Sequence, residues 1–126
     1  MIVLDTSALI YWTLQPTLLS AKASRVIDQS DRIIVSSISI WEIALKVKRG
    51  KLSIPLTISD YIDRLQELER LEILSVDVQT WLENINLPWD HRDPADRTIV
   101  ALATRFDCLL VTSDATIAGF YKKTIW

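Results

Sequence analysis

Three observations predict an α/β fold with a central, mainly parallel sheet. Several short runs are apolar on consecutive rather than alternating positions, the mark of strands covered on both faces. Segments of helical period separate them. Pro and Gly together make up only six of 126 residues, and no repeat, low-complexity tract or linker breaks the chain. The length fits one domain, 1–126, large enough for a real core.

The elements follow in order. Ile2–Leu4 is the first strand, and Ser7–Leu14 a helix that Pro16 ends. Ser20–Gln29 is a helix with Ala23, Val26 and Ile27 on one face. Ile33–Val35 is the second strand. Ile40–Arg49 places Ile40, Ile43, Ala44 and Val47 at i, i+3, i+4 and i+7, with Gly50 where a C-cap glycine belongs. Ser59–Arg70 is helical, with Asp60 and Arg64 one turn apart as an exposed pair. Glu72–Val76 is the third strand, and Val78–Ile85 a short helix stopping before Pro88. Asp93-Pro94 opens the helix Pro94–Phe106. Leu109–Val111 is the fourth strand and Lys123–Trp126 the fifth. Strand order is not written in such a pattern.

Composition removes whole classes of chemistry. One cysteine, Cys108, excludes an internal disulfide and a thiolate zinc cluster. One histidine, His91, leaves no His-rich metal site, and two glycines cannot make a GxGxxG or Walker-type phosphate loop. No basic, apolar leader or membrane span is present in the pattern, so the expected compartment is the cytoplasm. The net charge of −2 gives no general pull toward nucleic acid. Carboxylates must carry the chemistry.

Four acids stand apart by position. Asp5 follows the first strand, Glu42 lies in the first turn after the second, Asp96 lies in the first turn of Pro94–Phe106, and Asp114 follows the fourth strand. Each alone reads as a helix cap: Ser39 with Glu42 spells a capping box, and Asp93 with Asp96 an N-cap and an N3 acid. Together they mean more. In an open parallel sheet the loops beyond the strand C-termini build the ligand site. Four carboxylates there repel one another unless a cation intervenes. Without Cys or His clusters the fitting ion is hard and oxygen-loving, Mg²⁺ or Mn²⁺, as in phosphoryl chemistry. Outside those four, 12 acids face 14 bases, so the remaining surface is mildly basic.

The segments MIVLDTSALI, SSISIWEIALKVKRGKL, HRDPADRTIVALA and LLVTSDATI, in this order and spacing, resemble PIN-domain ribonucleases, and among them the VapC toxins of bacterial toxin–antitoxin pairs. The resemblance implies a three-layer α/β/α sandwich and a metal-dependent endoribonuclease using Mg²⁺ or Mn²⁺ and leaving a 5′-phosphate. It implies Asp5, Glu42, Asp96 and Asp114 as the catalytic and metal-binding acids, with Thr6 and Thr112 as supporting hydroxyls. Asp93 is at most supporting, since capping explains it. The implied partners are an RNA substrate, a small cognate antitoxin and a second copy in a homodimer, with no membrane.

Other residues have plainer roles. His91 reads as a structural residue beside the acidic segment, and Arg97 as the partner of a nearby acid. Lys46, Lys48, Arg49 and Lys51 suit a helix C-terminus or an extended RNA groove. Of five tryptophans, Trp41 and Trp89 lie nearest the acids, where packing competes with base stacking. Two other classes remain. A phosphatase with an aspartyl nucleophile wants a second Asp where Ser7 stands, and a catalytically inactive PIN-like interaction module would have no use for four acids.

Overall fold

A computed structural model describes all residues, Met1–Trp126. Five strands, β1 (Ile2–Leu4), β2 (Ile33–Ser36), β3 (Leu71–Leu74), β4 (Leu109–Val111) and β5 (Thr124–Ile125), form one sheet in the order β3-β2-β1-β4-β5. Every pairing is parallel. Seven helices connect them: α1 (Thr6–Leu14), α2 (Ala21–Gln29), α3 (Ser37–Lys48), α4 (Ile58–Glu67), α5 (Val78–Asn86), α6 (Pro94–Phe106) and α7 (Ala115–Phe120). No helix is long and apolar enough to cross a membrane.

The consecutive apolar residues are explained by the two faces they serve. Ile2, Leu4, Ile33, Val35, Leu71 and Val111 point into one core with α1 to α4, where Leu9, Ile27, Ile43 and Leu65 are buried. Val3, Ile34 and Leu110 point into the other, against Ile99, Val100 and Ala103 of α6 and Ile117 of α7. Helices cover both faces, giving the three-layer α/β/α sandwich. Fully burying one such Leu or Ile is worth about 1.5–3 kcal/mol.

Strand order decides where a site can sit. From β1 the chain steps outward through β2 to β3, then returns to the other side of β1 with β4. The switch point lies between β1 and β4, and in open parallel sheets it is the loops beyond the strand C-termini at such a point that build the ligand site.

Several boundaries differ from the sequence-based expectations. The third helix begins at Ser37, because β2 runs into it without a loop and Ser36, in extended backbone, accepts from Ile38 N–H at 3.3 Å. The capping box of Ser39 and Glu42 does not form, and Glu42 sits one turn further into the helix than the box required. Helix α4 ends at Glu67 and β3 spans Leu71–Leu74, so the expected elements lie too far along the chain. Asp60 and Arg64 form no ion pair among the four ion pairs of the chain. Gly50 does follow α3, in the left-handed region at φ 70°, as a C-terminal reversal demands.

Candidate active site

Asp5 leaves β1 at the switch point and caps α1. Its Oδ1 accepts from Ala8 N–H at 2.8 Å, and its Oδ2 accepts from the Thr112 hydroxyl at 2.5 Å. Thr112 follows β4, and its oxygen also receives the Asp114 N–H at 3.0 Å. The two strands flanking the switch point are thus tied through one hydroxyl. Asp114 caps α7, accepting from the N–H groups of Thr116 and Ile117. Asp93 caps α6 by accepting from Ala95 and Asp96 N–H groups, the role that the sequence suggests.

Asp5 is 5% exposed. Burial raises its pKa from 3.8 to about 6 against the lowering hydrogen bonds of Thr112 and Ala8, and the charges of Asp96 and Asp114 push the same way. Half-buried Asp96 is raised by burial, then by Asp93 and Asp114, while its contact with His91 lowers it. Glu42 is raised by burial, lowered by a hydrogen bond from Thr6 and raised again by Asp93 and Asp96. The structure therefore brings Asp5, Asp96 and Asp114 within one another's field, and Glu42 joins through Asp96.

The hydroxyl of Thr6, buried beside Asp5, donates to Glu42 Oε1 and lies 2.9 Å from Ser39 Oγ. A hydroxyl has one proton. With that of Thr6 turned to Glu42, Ser39 completes the pair as donor. The helix register that undid the capping box is what frees the Glu42 carboxylate for this contact.

His91 and Arg97 depart from their expected roles. His91 Nε2 lies 2.8 Å from Asp96 Oδ2, so the single histidine touches one of the four acids. Arg97 pairs with no acid. It donates to the carbonyls of Trp89 at 2.5 Å, His91 at 3.1 Å and Asn84 at 2.5 Å, and to Asn84 Oδ1 at 3.3 Å. Its guanidinium fastens the loop between α5 and α6, and this loop carries His91 to Asp96. Trp89 stacks on Phe120 at 4.8 Å and 8° and is packed, not offered to a base. The sequence signal for the His91 contact was its spacing, five residues before Asp96 and across a helix N-cap.

The donors are all hard oxygens, held partly out of water and destabilised by one another, which suits a hard divalent cation such as Mg²⁺ or Mn²⁺. No three His, Cys, Asp or Glu side chains close into a ready-made ligand shell. The cluster is an open cradle, the kind Mg²⁺ fills with water and substrate oxygens as further ligands. Beside it, a cleft of about 160 Å³ is lined by Trp41, Glu42, Leu45, Lys46, Arg49 and Lys51. A larger, apolar cavity of about 360 Å³ lies between the end of α1 and α4 and holds none of the four acids.

Comparison with known proteins bears on the family and the fold. The PIN domain model matches residues 2–123. Ribonuclease VapC22 of Mycobacterium tuberculosis is 29% identical over 129 residues, covering 99% of this chain and 98% of the relative. Among solved structures, a toxin–antitoxin complex from Klebsiella pneumoniae superposes with a TM-score of 0.70 at 14% identity, over 100% of this chain and 97% of that one. VapC20 of Mycobacterium tuberculosis, a sarcin-ricin loop cleaving toxin, superposes at 0.68 and 15% identity, over 97% and 98%. VapBC2 from Rickettsia felis, bound to a promoter DNA fragment, superposes at 0.70 and 18% identity, over 100% and 98%. At these identities the structures speak for the fold, while the sequence match spans nearly the whole chain: this protein belongs to the PIN domain family.

Proposed function

We propose that this chain is a divalent-metal-dependent endoribonuclease, the toxin of a toxin–antitoxin pair. The observation that carries the reading is Asp5, nearly buried at the switch point beside two further carboxylates, with its pKa raised to about 6. A fold keeps such a charge where a cation relieves it. Asp5 and Asp96 hold the ion, with Asp114 and Glu42 closing the acidic pocket. When bound, Mg²⁺ or Mn²⁺ lowers the pKa of water and offsets charge on the phosphate. Glu42 and Asp114 accept hydrogen bonds from the attacking water and orient it in line with the scissile bond. Thr6 and Thr112 fix the carboxylates of Glu42 and Asp5, and Asp93 caps α6 and so places Asp96. The product carries a 5′-phosphate.

The test is incubation of the pure protein with total RNA in Mg²⁺, Mn²⁺ or EDTA, followed by mapping of the cut ends. Cuts at defined sites with either ion, none in EDTA, and 5′-phosphate ends are expected. Cleavage indifferent to EDTA, or no cleavage with either ion, overturns the reading.

The named relative is a ribonuclease, and the solved neighbours include toxin–antitoxin assemblies. These support a small antitoxin as partner and RNA as substrate, and the compartment that this reading implies is the cytoplasm. Helix α5 supports a homodimer. Val78, Trp81, Leu82 and Ile85 recur at i, i+3, i+4 and i+7, all exposed, Ile85 by 76%. An uncharged stripe of this kind is self-complementary about a two-fold axis. Ile85→Glu should halve the mass seen by light scattering; a particle of unchanged mass would remove α5 from the interface.

A further inference from the structure

We infer that the cleft beside Glu42 is a nucleotide subsite, in which Arg49 and Lys51 hold a phosphate flanking the scissile one and Trp41 stacks on a base of the bound strand. The inference deepens the ribonuclease reading and rests on it. Its first support is the way the cleft is built. Helix α3 delivers Glu42 and, one turn later, Lys46 to the same wall, and Arg49 lies about 10 Å beyond Glu42 along the axis. The helix then reverses through Gly50 at φ 70°, and Lys51 N–H donates to the Lys46 carbonyl at 2.8 Å. That turn folds Lys51 back beside Lys46 and Arg49, where an extended chain would have carried it away.

The second support is that no acid forms an ion pair with these cations, Lys46 doing no more than lower the pKa of Glu42 one turn away. Lys46, Lys48, Arg49 and Lys51 take part in none of the chain's four ion pairs, although 16 acids are available. Favourable placement at a helix C-terminus accounts for Lys46 and Lys48. It does not account for Lys51, which lies beyond the helix and lines the cleft. The third support is Trp41. It is 58% exposed beside these cations, whereas Trp89, the other tryptophan near the acids, is packed on Phe120. An exposed ring next to unpaired cations is the arrangement by which single-stranded nucleic acid is held, base on ring and phosphate on cation. A cleft of about 160 Å³ has room for one phosphate, with the base lying on the exposed ring of Trp41, and not for a helix.

The experiment measures binding apart from cleavage. A short fluorescein-labelled single-stranded RNA of mixed sequence is titrated in EDTA with the full-length Asp5→Asn protein, in which cleavage is expected to be slowest, across a range of salt. Adding Arg49→Gln and Lys51→Gln should weaken binding about tenfold and flatten the salt slope by about 0.7, from the one phosphate that the two cations hold. Trp41→Ala should cost about tenfold, and Trp41→Phe, which keeps an aromatic face, much less. Lys22→Gln, an exposed cation on α2, is the control that leaves binding unchanged. Thermal melts establish that each variant is folded. Affinity and salt slope unchanged in the Arg49/Lys51 variant overturn the subsite, whatever the cleavage assay returns. Variants that keep RNA affinity but lose an antitoxin make the cleft a protein contact and equally overturn it. Loss of RNA binding in a protein that cuts nothing with any ion sustains the subsite and overturns the nuclease reading alone.

Discussion

Asp5→Asn should lower RNA cleavage by about 10³-fold or more while leaving the protein folded. The size follows from what the carboxylate holds. Charge stabilisation of several kcal/mol by a divalent ion depends on ligands that are themselves charged, and each 1.36 kcal/mol is tenfold in rate. The fold survives because the amide fits both existing contacts. Its oxygen still accepts from Ala8 N–H, keeping a cap worth about 1 kcal/mol, and its nitrogen donates to the Thr112 oxygen that formerly donated to Asp5. Single-turnover cleavage alongside circular dichroism is the measurement. A variant that still cuts at a tenth of the parent's rate would show that Asp5 is a cap and no more.

The same substitution should stabilise the metal-free protein. The folded state holds the Asp5 proton more tightly than the unfolded chain, with a pKa of about 6 in place of 3.8. The contribution to stability is complete below the unfolded value and is lost as pH rises through the folded one. Above pH 6 the charged side chain therefore costs the fold about 3 kcal/mol. In EDTA at pH 7.5, Asp5→Asn should melt about 10 °C above the parent, and the gap should shrink toward pH 4.5. Saturating Mg²⁺ should raise the parent's melting temperature and close the gap, since an ion at 100 times its Kd adds about 2.7 kcal/mol. A gap in EDTA that does not change with pH would show that the carboxylate is charged without cost.

How far the sequence disclosed this arrangement depended on the range of the forces involved. The strands were legible because both faces of β1, β2 and β4 are buried, so Val3 and Ile34 are as apolar as their neighbours. The start of α3 was not. Ser36, Ser37 and Ser39 are all competent caps, and the choice fell to Ser36 because β2 runs straight into the helix. Strand order was invisible, yet it places Asp5 beside Thr112. The His91 contact with Asp96 was legible only as a short spacing along the chain, because what fixes it, Arg97 donating to the carbonyls of Asn84, Leu87, Trp89 and His91, has no periodicity to reveal it.

The hydrogen bond between Asp5 and Thr112 joins residues 107 positions apart, across strands whose pairing completes the centre of the sheet. During synthesis the first site residue leaves the ribosome long before the last ones exist. A loop of that length closes late, and the entropy of closing it is offset only when β4 slots in against β1. A nascent chain that has made α1 to α5 carries Asp5 and Glu42 but has neither the clamp on Asp5 nor Asp96 and Asp114 to complete the pocket. The assembled centre thus forms only once β4 is in place, and a chain cut short before Leu109 keeps β1 as a bare sheet edge and lacks both Thr112 and Asp114.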